Sequence, residues 1–257
     1  MTNFFVLGDK KMQSVNMGFS YPKEVNKAKD ECWPVFLPVG TMEYHSSICP
    51  YGCDTLTALG VCEKVAEKVN SLILPPVWYG VASYAVGGPK TNTINVDVDT
   101  MENYIHCILK SLFASGFKKN IFIVIAHQTE DYMPMTLACM KAAKKLIMAE
   151  LEEKGGYGWW GDNKNKDFYE NLSGSDSPWN KVRVLRLPYT KSSKGEGDHA
   201  GVHECSMLEY LYPGTIKLDR FNDSDDWFKE TAINMTVEHG KDMVDICVKD
   251  ILDMINE

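Results

Sequence analysis

Asn120-Ile121-Phe122-Ile123-Val124-Ile125-Ala126-His127 is the stretch on which the fold turns. Its unbroken apolar run, with no polar residue alternating through it, points to a strand buried on both faces. Such a strand belongs to a parallel sheet covered by helices. His127 closes the run. In open α/β sheets ligands bind beyond the carboxyl ends of the strands, so this position marks a candidate site.

The neighbouring segments fit the same plan. Residues 100–115 place Ile105, Ile108, Leu109 and Leu112 on one helical stripe with Gly116 as the stop, and residues 135–153 read as the helix that returns across the sheet. Upstream, residues 35–40 form a short apolar run ending at Gly40, residues 54–70 have rough helical spacing, and residues 72–77 read as a second strand. The glycine-rich stretch 80–88, with Tyr79 and Tyr84, reads as a loop facing a pocket. Residues 182–187 alternate as a strand does, 195–201 form a polar turn before a helix starting near His203, and 226–256 read as the last helix. The expected architecture is α/β. It is a single domain over 1–257 with a mostly parallel central sheet flanked by helices on both faces, and with a lid or interface loop at 155–181.

Composition narrows the function classes. A hydrophobic share of 44% spread along the chain supports a sizeable core. The net charge of -8, without a dense Lys/Arg cluster, argues against nucleic acid as a partner. No run has the length of a membrane span and residues 1–9 lack a leader pattern, which points to a cytoplasmic protein with no membrane partner. The eight cysteines are scattered and several lie within apolar patterns, so they read as reduced thiols. Cys49 and Cys53 have a CxxxC spacing with no second pair, a weak zinc signal.

The chemistry-bearing residues cluster elsewhere. Glu43-Tyr44-His45 and Asp54 share one loop rich in Ser, Pro, Gly and Cys; His127 ends a strand; Glu204 starts a late helix. Carboxylates with imidazoles suit zinc, manganese or iron. Each fragment alone is weak, but together they bring remote parts of the chain toward one sheet edge.

The fragments LPVGTMEYH (37–45), YGCDT (51–55), LPPVWYG (74–80), IVIAHQTED (123–131) and DHAGVHECSMLEYLYP (198–213) stand in an order and spacing that resemble the creatininase family. The resemblance runs from about residue 36 to 213. It implies a metal-dependent hydrolase that opens a small polar cyclic amide or related C–N or ring substrate, with one or two divalent ions (Zn, Mn or Fe). In the family pattern Asp54 bridges, Glu43 and His127 bind one ion, and His45 with a further carboxylate binds the other. Glu204 and its rival Glu130 compete for that last place. The resemblance also makes His199, with Asp198, the general acid or base. Family properties further imply a homo-oligomer, in the family a hexamer.

Departures from the pattern bear on the substrate. Ser46-Ser47-Ile48 and Gln128-Thr129-Glu130 replace the usual residues after the two metal-site histidines, and Thr129 stands where the family has a ligand Glu. Val202 replaces a carboxylate, and Asn92-Thr93-Ile94 stands for a usual Gly-Thr-Ile. Tyr79, Tyr84, Thr129, Glu130 and Trp160 are the candidate substrate contacts. Trp159, Trp160 and Trp179 are either an aromatic lid or an interface. Two other functions stay open: a hydrolase of an oxidised inositol that breaks a C–C bond, and a non-catalytic family member that binds metal or ligand. A Rossmann-type nucleotide binder lacks its GxGxxG.

Overall fold

The computed structural model describes residues 15–127, 133–167, 177–188 and 197–257. Among them five short strands form one sheet: β1 (Val15–Asn16), β2 (Val35–Val39), β3 (Leu72–Ile73), β4 (Ile121–Ile125) and β5 (Val182–Arg186). Their spatial order is β1-β3-β2-β4-β5 and every neighbouring pair is parallel. The register runs residue for residue from Val35 beside Ile121 to Val39 beside Ile125.

Strand alternation divides the core into two layers. Val35, Leu37, Val39, Ile121, Ile123 and Ile125 face α3 (Val98–Ala114) and α4 (Pro134–Gly155), packing with Met101, Ile105, Leu109 and Ala138. Phe36, Phe122 and Val124 face α2 (Cys53–Ala66), α5 (Val202–Leu211) and α6 (Val237–Asn256), packing with Val61, Val65, Met207 and Ile251. The sheet is covered on both sides, as the 120–127 run requires. No described helix is long and apolar enough to cross a membrane.

Several boundaries differ from the sequence reading, each for a local reason. β3 stops at Ile73 because Pro75 and Pro76 have no N–H to give a ladder, although Val77 still bridges Val39. The last helix begins at Val237 rather than 226. Thr236 caps it by accepting from the His239 N–H, and 3-10 turns, Leu218–Asp223 and Trp227–Asn234, occupy the preceding segment. The sequence reading has no element at β1 or at the helix α1 (Pro22–Asp30): the strand has two residues, and the helix is short and fully buries only Ala28, with Val25 packed on the core.

The crossovers explain where a site can form. From β2 the chain turns through α2 on one face and out to β3, whereas from β4 it turns through α4 on the other face and out to β5. The crevice between the carboxyl ends of β2 and β4 is therefore a topological switch point. Gly40 is needed there, since a Cβ at this residue would lie 2.4 Å from the Thr55 backbone nitrogen. Without a side chain at 40, the start of α2 sits directly on the end of β2 and carries Asp54 into the crevice.

Candidate metal centre

Four chain segments deliver side chains to this crevice. Glu43 and His45 follow β2, Asp54 lies in the first turn of α2, His127 follows β4, and Glu204 lies in the first turn of α5. Glu43, His45, Asp54 and His127 are all buried. Glu43, Asp54 and His127 offer one ligand atom each within 4.8 Å of one another, and so do His45, Cys53 and Asp54. Asp54 is common to both groups.

The imidazoles are held with one nitrogen facing inward. His45 Nδ1 lies 3.0 Å from the Glu43 carbonyl oxygen and His127 Nε2 lies 3.0 Å from that of Val81. Since a carbonyl only accepts, those nitrogens carry the protons, which leaves His45 Nε2 and His127 Nδ1 free as acceptors. These free atoms lie 3.0 Å from Asp54 Oδ1 and 2.9 Å from Asp54 Oδ2. His127 Nδ1 also lies 3.4 Å from Glu43 Oε2, and His45 Nε2 lies 3.5 Å from Glu204 Oε2. Neither His45 Nε2 nor Asp54 Oδ2 has a hydrogen-bond partner of proper geometry, and both are buried. Lone pairs crowded against carboxylates, without donors between them, are stable only with positive charge among them. The donor set fits divalent cations.

Without a cation, protons supply that charge. Burial lowers both imidazoles, but Asp54 outweighs it, joined by Cys53 and Glu204 at His45 and by Glu43 at His127, so both are raised above 6.5. Burial favours a protonated Asp54, yet His45 and His127 hold it below the ordinary carboxylate range. Burial raises Glu43 to about 7 and Glu204 to about 8.

His199 stacks on His45 with ring centroids 4.1 Å apart, and the edge of Phe228 meets its other side at 5.0 Å. Its Nε2 donates to the Tyr44 carbonyl at 2.8 Å, leaving Nδ1 without the proton. Burial, then the charge on His45, lower it from 6.5 to about 3. Asp198 lines the cavity beside His199 and also has a structural task. Its Oδ2 accepts from the His203 N–H at 2.8 Å and its Oδ1 from the Glu204 N–H at 3.0 Å, so both oxygens cap α5. A Cβ at Gly201 would lie 2.2 Å from Asp198 Oδ2, so the His199-Ala200-Gly201 run is shaped by this cap. The Ala200 N–H in turn donates to Glu204 Oε2 at 2.8 Å. Asp198→Asn, which keeps one cap acceptor, is therefore expected to lower stability by about 1 kcal/mol and kcat by less than about tenfold. A loss of kcat of about a hundredfold or more with the fold intact would return Asp198 to the proton path.

A cavity of about 250 Å³ opens on the cluster, lined by Glu43, Asp54, His127, His199 and Glu204 and walled by Ala82, Val86, Leu187, Pro188, Met207 and Met243. The expected substrate contacts are not gathered there. Tyr79, Tyr84 and Trp160 are exposed and do not line it, while the backbone neighbours Ala82, Ala85 and Val86 do. Trp159 is buried beside Gly155, and Trp179 packs on the core next to Lys144. Thr129 and Glu130 lie outside the described residues, so Glu204 is the candidate last carboxylate that the described geometry places beside His45. Three cavity residues escape sequence reasoning: Cys53, Thr57 and His203. Thr57 and His203 resemble ordinary helix residues in sequence, and only the CxxxC spacing hinted at Cys53. Cys49 belongs to none of the ligand groups; its Sγ lies 3.4 Å from that of Cys205, and its thiol also bonds that of Cys53.

Residues 21–255 match the family described as Creatininase: Creatinine amidohydrolase. A creatinine amidohydrolase of Pseudomonas putida is 25% identical over 260 residues, covering 91% of this chain and 92% of that protein. A 3-dehydro-scyllo-inosose hydrolase of Thermotoga maritima is 28% identical over 116 residues, 45% of this chain and 36% of that one. Among solved structures, a manganese creatininase superposes with a TM-score of 0.70 at 22% identity, covering 95% of this chain and 98% of the other. A creatininase variant complexed with creatine gives 0.69 at 22% identity with the same coverage.

Proposed function

We propose, from the premise that this chain belongs to the creatininase family and is a hydrolase, that it is metal-dependent and opens a small polar cyclic amide at its C–N bond. The observation that carries this reading is the buried pair of unsatisfied acceptors, His45 Nε2 and Asp54 Oδ2, set among three further carboxylate and imidazole groups. Glu43, Asp54 and His127 would hold one ion; His45, Asp54 and Glu204 would hold a second. A divalent cation there supplies Lewis acidity, which lowers the pKa of water toward neutrality and polarises a carbonyl.

This chain's own residues do the rest. The carbonyls of Glu43 and Val81 fix the two imidazoles in the tautomer that presents a lone pair to the cavity. His199 Nε2 is committed to the Tyr44 carbonyl, so Nδ1 is the ring atom that would accept the proton of the attacking water. The walls of Leu187, Pro188, Met207 and Met243 exclude bulk water and strengthen each charge interaction. A row of exposed apolar residues on α4, Leu137, Met140 and Met148, supports the homo-oligomer that the family implies.

The similarity to the inosose hydrolase favours a second reading, ring opening of a cyclic polyol ketone at a C–C bond. One experiment addresses both. Protein purified without chelator is analysed for bound metal, then stripped and reloaded with Zn, Mn or Fe and offered creatinine and 3-dehydro-scyllo-inosose. Bound divalent metal and turnover that returns on reloading are expected. Protein that retains no metal and gains no hydrolysis from any of the three ions would overturn the metal-dependent reading.

A further inference from the structure

Lys229 keeps almost no contact with solvent: it is 2% exposed, where lysines ordinarily stand at the surface. It lies in the second 3-10 turn, Trp227–Asn234. Its Nζ donates to the carbonyls of Phe221 and Ser224 and, at 2.7 Å, to Ser224 Oγ, and it sits 4.9 Å from the centre of the Phe221 ring. These oxygens replace the water that a buried ammonium gives up. The two carbonyls stand near the end of the first turn, Leu218–Asp223, where helical hydrogen bonding runs out. The Ser224 hydroxyl leads further.

Ser224 Oγ lies 3.1 Å from Ser46 Oγ and 3.2 Å from Ser47 Oγ, the two serines by which this chain departs from the family pattern after His45. The Ser47 hydroxyl also donates to the Arg220 carbonyl at 2.7 Å. Asp226 accepts from the Tyr44 hydroxyl at 2.7 Å, and the hydroxyls of Ser224 and Ser46 bond it as well. The segment that Lys229 ties down therefore holds the 44–47 loop through three of its side chains. It also reaches His199 from two sides. Phe228, adjacent to Lys229, sets its edge against the imidazole with centroids 5.0 Å apart, and Asp226 fixes Tyr44, whose carbonyl accepts from His199 Nε2 at 2.8 Å. Thr231 Oγ1 adds a link by accepting from the Val202 N–H at 3.1 Å, at the turn that leads from His199 into α5.

We propose that Lys229 is a positioning residue for His199: its buried ammonium locks Ser224 and Asp226 onto the 44–47 loop, and so fixes the Tyr44 carbonyl and the Phe228 ring that orient the imidazole. The inference rests on reading His199 as the proton acceptor of the hydrolase site, and it adds the device that aims it. Lys229 does not line the cavity and touches no ligand of the cluster, so it acts only through the residues it holds. His45 keeps its own anchor in the Glu43 carbonyl, so loosening the network shifts His199 before it shifts the metal ligands.

The test uses zinc-loaded protein, with Lys229→Met, Ser224→Ala, His199→Gln and the two doubles with His199→Gln. Ser224→Ala leaves the ammonium its two carbonyl acceptors, so it carries the test if Lys229→Met fails to fold. On whichever of creatinine and 3-dehydro-scyllo-inosose wild type turns over, each network variant is expected to lower kcat by about ten- to a hundredfold with KM little changed and bound zinc at the wild-type level. In the His199→Gln background the same substitutions should cost less than about twofold, because residues that act as a unit are not additive. Fully additive losses, or zinc lost along with activity, would overturn the proposal. A second readout needs no turnover: exchange of each histidine C2 proton at one fixed pH, followed by mass spectrometry. His199 is expected to exchange about tenfold faster or more in both network variants, with His127 unchanged. An unaltered His199, or equal acceleration at His127, would overturn the proposal. Protein that turns over neither substrate, yet shows the expected change confined to His199, would count against the hydrolase reading and not against the positioning of the ring.

Discussion

Asp54→Asn is expected to strip the centre of metal and to lower kcat/KM by more than about a thousandfold, well beyond the roughly 10–100-fold that follows loss of a supporting partner. Among the described residues, Asp54 is the one side chain that faces both inward imidazole nitrogens, at 3.0 Å and 2.9 Å through different oxygens. It also belongs to two of the ligand groups that the chain brings together. An asparagine amide offers one oxygen and one N–H group, so it can serve one side of the cluster only, and it removes the charge that two cations would share. Glu43→Gln removes a ligand from one side alone and is expected to fall between Asp54→Asn and wild type in metal content. The fold should survive, because Asn is tolerated in the first turn of a helix. Elemental analysis after dialysis, with circular dichroism as the control for folding, reads the result. An Asn variant that keeps wild-type metal content would remove Asp54 from the centre.

The second large effect is a pH dependence of stability that metal should abolish. Glu43 and Glu204 have folded pKa values of about 7 and about 8 against 4.5, and His45 and His127 are raised above 6.5. In each case the folded state holds a proton that the unfolded chain has released, so stability falls as pH rises through the folded pKa. Asp54 is lowered, and its contribution is lost only in acid below 3.8, outside the window of interest. His199 is also lowered, to about 3, so it favours the fold increasingly as pH rises toward 6.5 and contributes no slope above that. Between pH 6.5 and 8 the four raised groups therefore act in one direction. Each proton held in excess by the folded state changes stability by about 1.4 kcal/mol per pH unit, and each kcal/mol moves Tm by roughly 2–4 °C in a chain of this size. Chelated protein is expected to lose several degrees of Tm across this window. Metal-loaded protein, whose ligands are already deprotonated, should be nearly flat. A chelated protein with a flat profile, or one that becomes more stable toward pH 8, would contradict the proton-for-metal exchange inferred from the buried cluster.

Much of the framework was legible in the residues themselves. The 120–127 run specified a strand buried on both faces, because unbroken apolarity has no other low-energy use in a sheet, and it placed His127 at the strand's carboxyl end. Gly40 before Glu43 and the His199-Ala200-Gly201 turn before Glu204 were readable as loops at helix and strand ends, where side chains are free of the core. The family pattern added which carboxylates and imidazoles belong together.

Other features depend on atoms brought close by packing. Nothing in the sequence marks Asp198 as a helix cap; the two backbone N–H groups that it accepts show that role. Tyr79, Tyr84 and Trp160 have the right chemistry for substrate contacts, yet loop direction places their side chains in solvent and the alanines at 82 and 85 at the cavity. Hydrophobic period is local and survives in one dimension, so the sequence by itself determined the layered α/β frame, the strand-end site and its ligand residue types. Tautomer, burial, pKa and cavity lining are sums over neighbours distant in the chain, and only the tertiary structure decided them.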